Sequence, residues 1–293
     1  MTETTPPGTV APGAPIPQQE IDRLLDAIGP RANAKLAREL LTVATALVTD
    51  DVARLDLKIA TAALTEMRDA FRVFAPYQDV PKVTIFGSAR TRPEDPVYEQ
   101  ARRVAADLAE HGWMVVTGAG PGIMAAGMEG AGRERSIGVS IRLPWEQGAN
   151  SIIAGDHKYV SMKYFFTRKL MLIKESKAFV CLPGGFGTLD ETYELLTLTQ
   201  TGKGLPVPIV LLDCPGDPYW ERLHEFVTEQ LVPRGLVSPL DTGLYLLTES
   251  AEKAAAEITR FYANYDSIRY VGDTLVVRIR RDPTDDQLAE LNR

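Results

Sequence analysis

The run Pro183-Gly184-Gly185-Phe186-Gly187-Thr188-Leu189-Asp190-Glu191 sets a carboxylate just beyond a glycine-rich turn. Glycine lets a backbone turn sharply and approach a ligand closely, and the free N–H groups of a following helix start suit a phosphate. Two further glycine runs come earlier in the chain. Gly87-Ser88-Ala89-Arg90 is one, and Thr117-Gly118-Ala119-Gly120-Pro121-Gly122, leading into Ile123-Met124-Ala125, is the other. Between Lys158 and Lys177 stand six cations (Lys158, Lys163, Arg168, Lys169, Lys174, Lys177) and one acid, Glu175. Most of such a stretch is a solvated helix face, as expected for Lys174 and Lys177. Arg168 differs, because Phe165–Leu172 is otherwise very apolar and an arginine there needs an anionic partner. Glu191 has two competing roles. Thr188-Leu189-Asp190-Glu191 has the spacing of a capping box, in which Thr188 caps a helix and Glu191 reaches back; the same carboxylate could instead face a ligand.

The elements that must position these residues follow from periodicity. Short β-branched runs at Lys82–Phe86, Trp113–Thr117, Ile137–Ile141, Ala178–Leu182, Val207–Leu212 and Leu244–Leu247 alternate with amphipathic segments near 96–111, 122–133, 161–176, 188–201, 217–232 and 250–264. Strands without strict polar alternation are buried on both faces, so the pattern predicts a doubly wound, Rossmann-like α/β fold: a parallel sheet with helices on both faces. All three glycine runs then follow strands, at the carboxyl edge where ligands bind in such sheets. Gly118-x-Gly120-x-Gly122 is not the dinucleotide spacing G-x-G-x-x-G, and no P-loop occurs.

Ahead of the sheet, residues 1–17 are rich in Pro, Gly and Thr and read as a disordered tail. Residues 18–76 read as a helical prefix, with Ile21, Leu24, Leu25 and Ile28 in one segment. Leu55, Ile59, Ala62, Ala63, Met67, Ala70, Phe71 and Phe74 recur at helical spacing and predict one buried face. The α/β domain is expected over 77–265 and a C-terminal extension over 266–293, with a further strand at Thr274–Arg280 and a polar helix after it.

Composition narrows the function classes. The 293 residues are 45% hydrophobic, and 32 Lys plus Arg against 39 Asp plus Glu give a net charge of −7. That balance argues against general nucleic-acid or membrane-surface binding but leaves room for a small anion in a locally basic cleft. No run approaches the roughly 18 apolar residues of a membrane span, and no secretory signal precedes Arg23, so a cytoplasmic protein is expected. Cys181 and Cys214 are expected as buried free thiols, and His111, His157 and His224 lack ligand spacing, so neither a metal nor a cofactor is expected. His111-Gly112 reads as a helix C-terminus. Trp145 and Glu146, in the loop after Ile141, could shape a base pocket.

Together, PGG-x-GT-x-x-E at Pro183–Glu191, Arg168-Lys169 at a fixed distance before it, and Gly118–Met124 resemble the LOG ("Lonely guy") family of cytokinin riboside 5′-monophosphate phosphoribohydrolases. Many bacterial members of that family have carried the label "possible lysine decarboxylase". The resemblance covers residues 80–235. It implies that Arg168 and Glu191 are the catalytic pair. It also implies that Lys169, Gly185, Phe186, Gly187, Thr188 and Thr197 are substrate contacts, and the glycine loops themselves add Gly87, Ser88, Gly118, Gly120, Gly122, Met124 and Gly184 as candidate contacts. On that basis the Gly185–Thr188 amides hold the 5′-phosphate and Glu191 faces the ribose, where a carboxylate stabilises an oxocarbenium-like state. Arg168 is expected to hold Glu191 ionised and in place.

Phe165-Phe166-Thr167 stands where short plant-type members have Met-His-x. Ala89-Arg90 follows Gly87-Ser88 in place of a second serine, and Asp190 replaces the commoner glutamate. With the prefix and the extension, these features resemble the longer bacterial type, for which AMP or a similar purine nucleotide is the expected substrate. The resemblance also implies a homodimer or higher homo-oligomer. The alternative function is a non-catalytic nucleotide or molybdenum-cofactor carrier of the same superfamily, and a nucleotide-sensing assembly protein is a third. A lysine decarboxylase is disfavoured, since that chemistry wants a pyridoxal phosphate lysine and none stands in a recognisable context.

Overall fold

The computed structural model describes residues 16–29, 32–143 and 148–292. All but the last two residues of the tail expected over 1–17 lie outside the described residues, as do Trp145 and Glu146. The chain divides into two compact units, Met1–Thr65 and Glu66–Arg293. The first holds α1 (Gln18–Ile28), α2 (Ala34–Thr49) and the start of α3 (Arg54–Phe74). Gly29 ends α1 at a φ of +94°, and Arg38 Nε donates to Asp22 Oδ1 at 2.7 Å, joining α2 to α1. The stripe expected to be buried along α3 is only partly so: Ala63, Ala70 and Phe74 are buried, whereas Leu55 and Phe71 are 65% and 46% exposed.

The larger unit is built on a seven-stranded parallel sheet. Its strands are β1 (Lys82–Phe86), β2 (Met114–Thr117), β3 (Ser136–Ile141), β4 (Tyr159–Met162), β5 (Ala178–Cys181), β6 (Ile209–Leu212) and β7 (Leu246–Thr248). They lie in the order β4-β3-β2-β1-β5-β6-β7. Because side chains alternate across a strand, each strand feeds two cores. Val83, Ile85, Val115 and Val180 pack on α4 (Pro96–Glu110), α5 (Ile123–Ala131) and α9 (Ala251–Asn264). Phe86, Met114, Val116 and Phe179 pack on the other face with Ala70 and Phe74 of α3. The same core takes in Met171 and Leu172 of α6 (Phe165–Lys174), Leu195 of α7 (Phe186–Gln200) and Trp220 of α8 (Tyr219–Phe226). The expected Rossmann-like layers are thus present, and the continuous apolar runs match strands buried on both faces.

Local signals set the helix ends. Pro96 opens α4 behind Asp95, and Gly112 follows its last turn at a φ of +86°. Ser250 caps α9 by accepting from the Lys253 amide at 3.1 Å. Two strands escaped the sequence pattern. The four residues of β4 form the sheet edge and fall partly inside a stretch expected to be helical. In the C-terminal segment, β9 (Thr274–Ile279) sits within the expected Thr274–Arg280 span. It pairs antiparallel with the unexpected β8 (Tyr265–Val271) and not with the main sheet. The polar helix follows as α10 (Asp285–Leu291). Among the described residues no helix is long and apolar enough to cross a membrane.

Candidate active site

The strand order brings the three glycine loops together. β1 has β2 on one side and β5 on the other, so the loops leaving these three strands are neighbours at the carboxyl edge. The chain runs outward from β1 to β4 and then crosses back to β5, which puts the topological switch point between β1 and β5. A crevice opens there in doubly wound sheets. Here it is a cleft of about 720 Å³.

Ser88 ties the loops to one another. Its N–H donates to Pro183 O at 3.3 Å, and its carbonyl accepts from Ile123 N at 3.0 Å. Gly122 makes the second bond possible. It holds a φ of +65°, and a Cβ there would strike the Ser88 carbonyl. Gly118 gives way to a side chain, since a Cβ on it would collide with the Arg168 guanidinium and the Met124 sulfur.

α7 begins earlier than a capping box at Thr188 requires. Gly185 is its N-cap and no side chain caps it, so Thr188 already lies inside the first turn. Leu189 N makes the first bond back, to Gly185 O at 3.1 Å, which leaves the amides of Phe186, Gly187 and Thr188 without intrahelical partners. Glu191 is consequently released from capping. It is 9% exposed, and its Oε1 accepts from Arg168 Nη1 at 3.2 Å. Arg168, also 9% exposed, donates from Nε to the Val139 carbonyl at 3.0 Å. The partner demanded by an arginine in an apolar helix is therefore Glu191, with a β3 carbonyl beside it.

Burial pushes the Glu191 carboxyl up to about 7, and the Arg168 charge offsets this only in part. Arg168 is bonded to Glu191, as the expected ionised and positioned carboxylate requires, but its charge alone does not offset the burial. Desolvation outweighs the single cation because the carboxylate has lost nearly all of its water. A group balanced near neutrality can take or give a proton.

Of the residues expected at the site, Gly87, Ser88, Gly118, Met124, Arg168, Gly184, Gly185, Phe186, Gly187, Thr188 and Glu191 all line the cleft. Phe186 does so while 92% exposed. Gly120 lines an adjoining chamber of about 140 Å³, which shares Gly118, Met124 and Arg168 with the cleft and carries Ser140, Tyr159 and Ser161. Gly122 is a joint between loops. Thr197 is exposed and Lys169 is turned to α7, where its ammonium meets Asp190 Oδ2 at 3.1 Å and Glu194 Oε2 at 2.5 Å; neither is among the residues lining the cleft.

Two polar lining residues were given no role from sequence. Arg90 places an exposed cation at the rim. Tyr219 comes from α8, and its hydroxyl donates to the Gly184 carbonyl at 2.6 Å. Arg90 was visible beside Gly87-Ser88, but nothing local links Tyr219 to a loop 35 residues away.

Fold and cleft define a doubly wound, Rossmann-like α/β protein with its site at the switch point. Residues 122–258 match the family model described as "Possible lysine decarboxylase". Among curated proteins, cytokinin riboside 5′-monophosphate phosphoribohydrolase LOG7 of Arabidopsis thaliana is 30% identical over 101 residues, 34% of this chain and 45% of its own. LOG1 of the same plant is 31% identical over 101 residues, 34% of this chain and 46% of its own. The chain is thus similar to these LOG proteins over about a third of its length, and the matched stretch spans just under half the length of these curated relatives. Among solved structures, the molybdenum cofactor carrier protein of Chlamydomonas reinhardtii superposes with a TM-score of 0.43 at 21% identity, covering 63% of this chain and 99% of its own.

Proposed function

We propose that this protein hydrolyses the N-glycosidic bond of a nucleoside 5′-monophosphate, AMP or a cytokinin riboside monophosphate, to free base and ribose 5-phosphate. The observation that carries this reading is the buried Arg168–Glu191 pair, set behind three amides without intrahelical partners at the start of α7. The relatives named as phosphoribohydrolases support it at the level of the family.

In this reading the amides of Phe186, Gly187 and Thr188 and the positive end of α7 hold the 5′-phosphate, with Arg90 at the rim. The ribose then lies over Glu191, one turn further along α7. As the C1′–N bond breaks, its electron pair leaves with the base and positive charge develops on the sugar. The Glu191 carboxylate stabilises that charge and accepts a proton from the water that bonds to C1′; the departing base takes a proton from solvent, and Glu191 returns its own to solvent to close the cycle. Arg168, fixed by the Val139 carbonyl, holds the carboxylate in place. The chamber beside Gly118, with hydroxyls at Ser140, Tyr159 and Ser161, offers partners to the base.

A lysine decarboxylase fits poorly. No lysine is among the described residues that line the cleft or its chamber. Burial lowers Lys82, but that residue opens β1 at the end away from the loops and donates to the carbonyls of Tyr77 and Val80. Burial would also lower Lys169, but Glu194 and Asp190 hold it above its usual value, in the unreactive ammonium form.

The test is to incubate the protein with AMP, GMP, CMP, UMP and isopentenyladenosine monophosphate and to chromatograph the free bases, with Glu191→Ala alongside. Base release that the substitution abolishes is the expected result. Nucleotide binding without release from any of them would overturn hydrolysis and favour a carrier.

A further inference from the structure

α6, which carries Arg168, begins at Phe165 with no capping side chain of its own and no acid in its first turn. The missing anion comes from α3. Glu66 is 5% exposed, and its Oε1 accepts from the Lys163 amide at 2.7 Å. Its Oε2 accepts from the Thr167 hydroxyl at 2.6 Å and the Tyr164 amide at 3.4 Å. Arg142 Nη2 approaches the same carboxylate at 3.4 Å. A charge-assisted cap at the positive end of a helix is stronger than a neutral one, and a bond to a side chain in the first turn also fixes how the helix is rotated. Thr167 is the residue directly before Arg168, so that rotation sets where the guanidinium points.

We propose that Glu66 is a positioning residue for the Arg168–Glu191 pair, aiming the Arg168 guanidinium by capping α6 from a helix about 100 residues away. The proposal deepens the phosphoribohydrolase reading and rests on it for its kinetic consequence alone. Besides its burial, three groups bear on the charge of Glu191: Arg168 from α6, Asp190 on α7, and Lys169 beside Arg168. Of these, Arg168 acts both as a charge and as a hydrogen-bond donor, so a small turn of α6 registers as a change in Glu191 titration.

The experiment uses the full chain as Glu66→Ala, Glu66→Gln and Thr167→Val, each checked for a cooperative thermal transition. Glu191 is titrated by carbon NMR of labelled glutamate carboxyls, assigned with Glu191→Gln. In Glu66→Ala the midpoint of Glu191 is expected to rise above the parent value, and in Glu66→Gln, which keeps an acceptor, to rise less. Thr167→Val shifts it in the same direction and answers the question if Glu66→Ala does not fold. Where the parent releases base from AMP, kcat of Glu66→Ala falls about tenfold with KM within about twofold, as expected for misplacement of a catalytic group. A folded Glu66→Ala or Thr167→Val with the parent's Glu191 midpoint overturns the proposal, leaving Glu66 a stabilising cap only. A parent that releases no base overturns the hydrolase reading and leaves the NMR comparison intact.

Discussion

Arg168 Nη1 and Glu191 Oε1 meet at 3.2 Å from two different helices, and both side chains are nine-tenths buried beneath the glycine loops. The pair is not a surface ion pair of negligible weight. A guanidinium that also donates Nε to the Val139 carbonyl is held in one orientation by two bonds from one planar fork. Glu191→Gln and Arg168→Ala should each lower the rate of base release by about 10²–10⁴-fold, the range for loss of a positioned acid–base group. Arg168→Lys should rescue little, because an ammonium cannot make both bonds. Single-turnover release from AMP checks all three, and near-parent rates in Arg168→Lys would contradict the fork geometry.

The titration of Glu191 sets a pH dependence. A base works ionised, so with the carboxyl pushed up to about 7, base release should climb as pH rises through that value and level off above it. Stability runs the other way. The folded-state value lies above the ordinary 4.5, so between these two values the folded protein binds more protons than the unfolded chain, and this residue's contribution to unfolding free energy falls as pH rises. The cost is complete above about 7 and is relieved in acid; its size is on the order of 3 kcal/mol. Urea unfolding at about pH 5 and about pH 8 should therefore show a smaller drop for Glu191→Gln than for the parent. Equal drops would remove Glu191 as the cause.

Two glycines of one loop should separate function from stability. Gly122→Ala forces an L side chain into a φ of +65° and against the Ser88 carbonyl, so it should lose about 1–3 kcal/mol of stability. Gly118→Ala is strained only by flexible neighbours, the Arg168 and Met124 side chains. It should unfold near the parent midpoint while losing most activity, because Arg168 is displaced. Thermal melts and AMP turnover on the same preparations distinguish them; a strongly destabilised Gly118→Ala would show that the backbone, not Arg168, yields.

Phosphate recognition should fall on the loops and the rim. Arg90→Ala removes an exposed cation and should raise KM for AMP by about two- to fivefold with little change in kcat, an exposed charge being worth up to about 1 kcal/mol. Tyr219→Phe removes a hydrogen bond to Gly184 and should cost about 1 kcal/mol in stability or in phosphate affinity. Adenosine, lacking the phosphate, should be a far poorer substrate than AMP. Parallel KM measurements at low and high salt check the Arg90 effect, which screening should weaken.

The local features of this chain were legible in its residues. Continuous apolar runs such as Lys82–Phe86 identify strands buried on both faces, and Gly112 marks a helix end through its φ of +86°. The glycine runs and Pro183–Glu191 marked the cleft, because each is a short-range requirement of backbone and amide geometry. Where two local signals overlapped, sequence could not arbitrate. The Thr188–Glu191 spacing suits a capping box, but Gly185 starts the helix first and frees Glu191. Tyr159–Met162 is too short, and too near the helix that follows, to show as a strand. Leu55 and Phe71 have helical spacing yet lie exposed, since period alone does not say what covers a face.

Only the tertiary structure decided which distant groups meet. The order β2-β1-β5 places three loops side by side, although two strands separate β5 from the others in the chain. The Val139 carbonyl, Tyr219 and Glu66 join the site or its support through bonds that span 29 to 101 residues. A buried arginine needs an acceptor and a helix start needs an anion, and the sequence states both needs locally. Neither need says where its partner comes from, because a hydrogen bond depends on distance in space and not on separation along the chain.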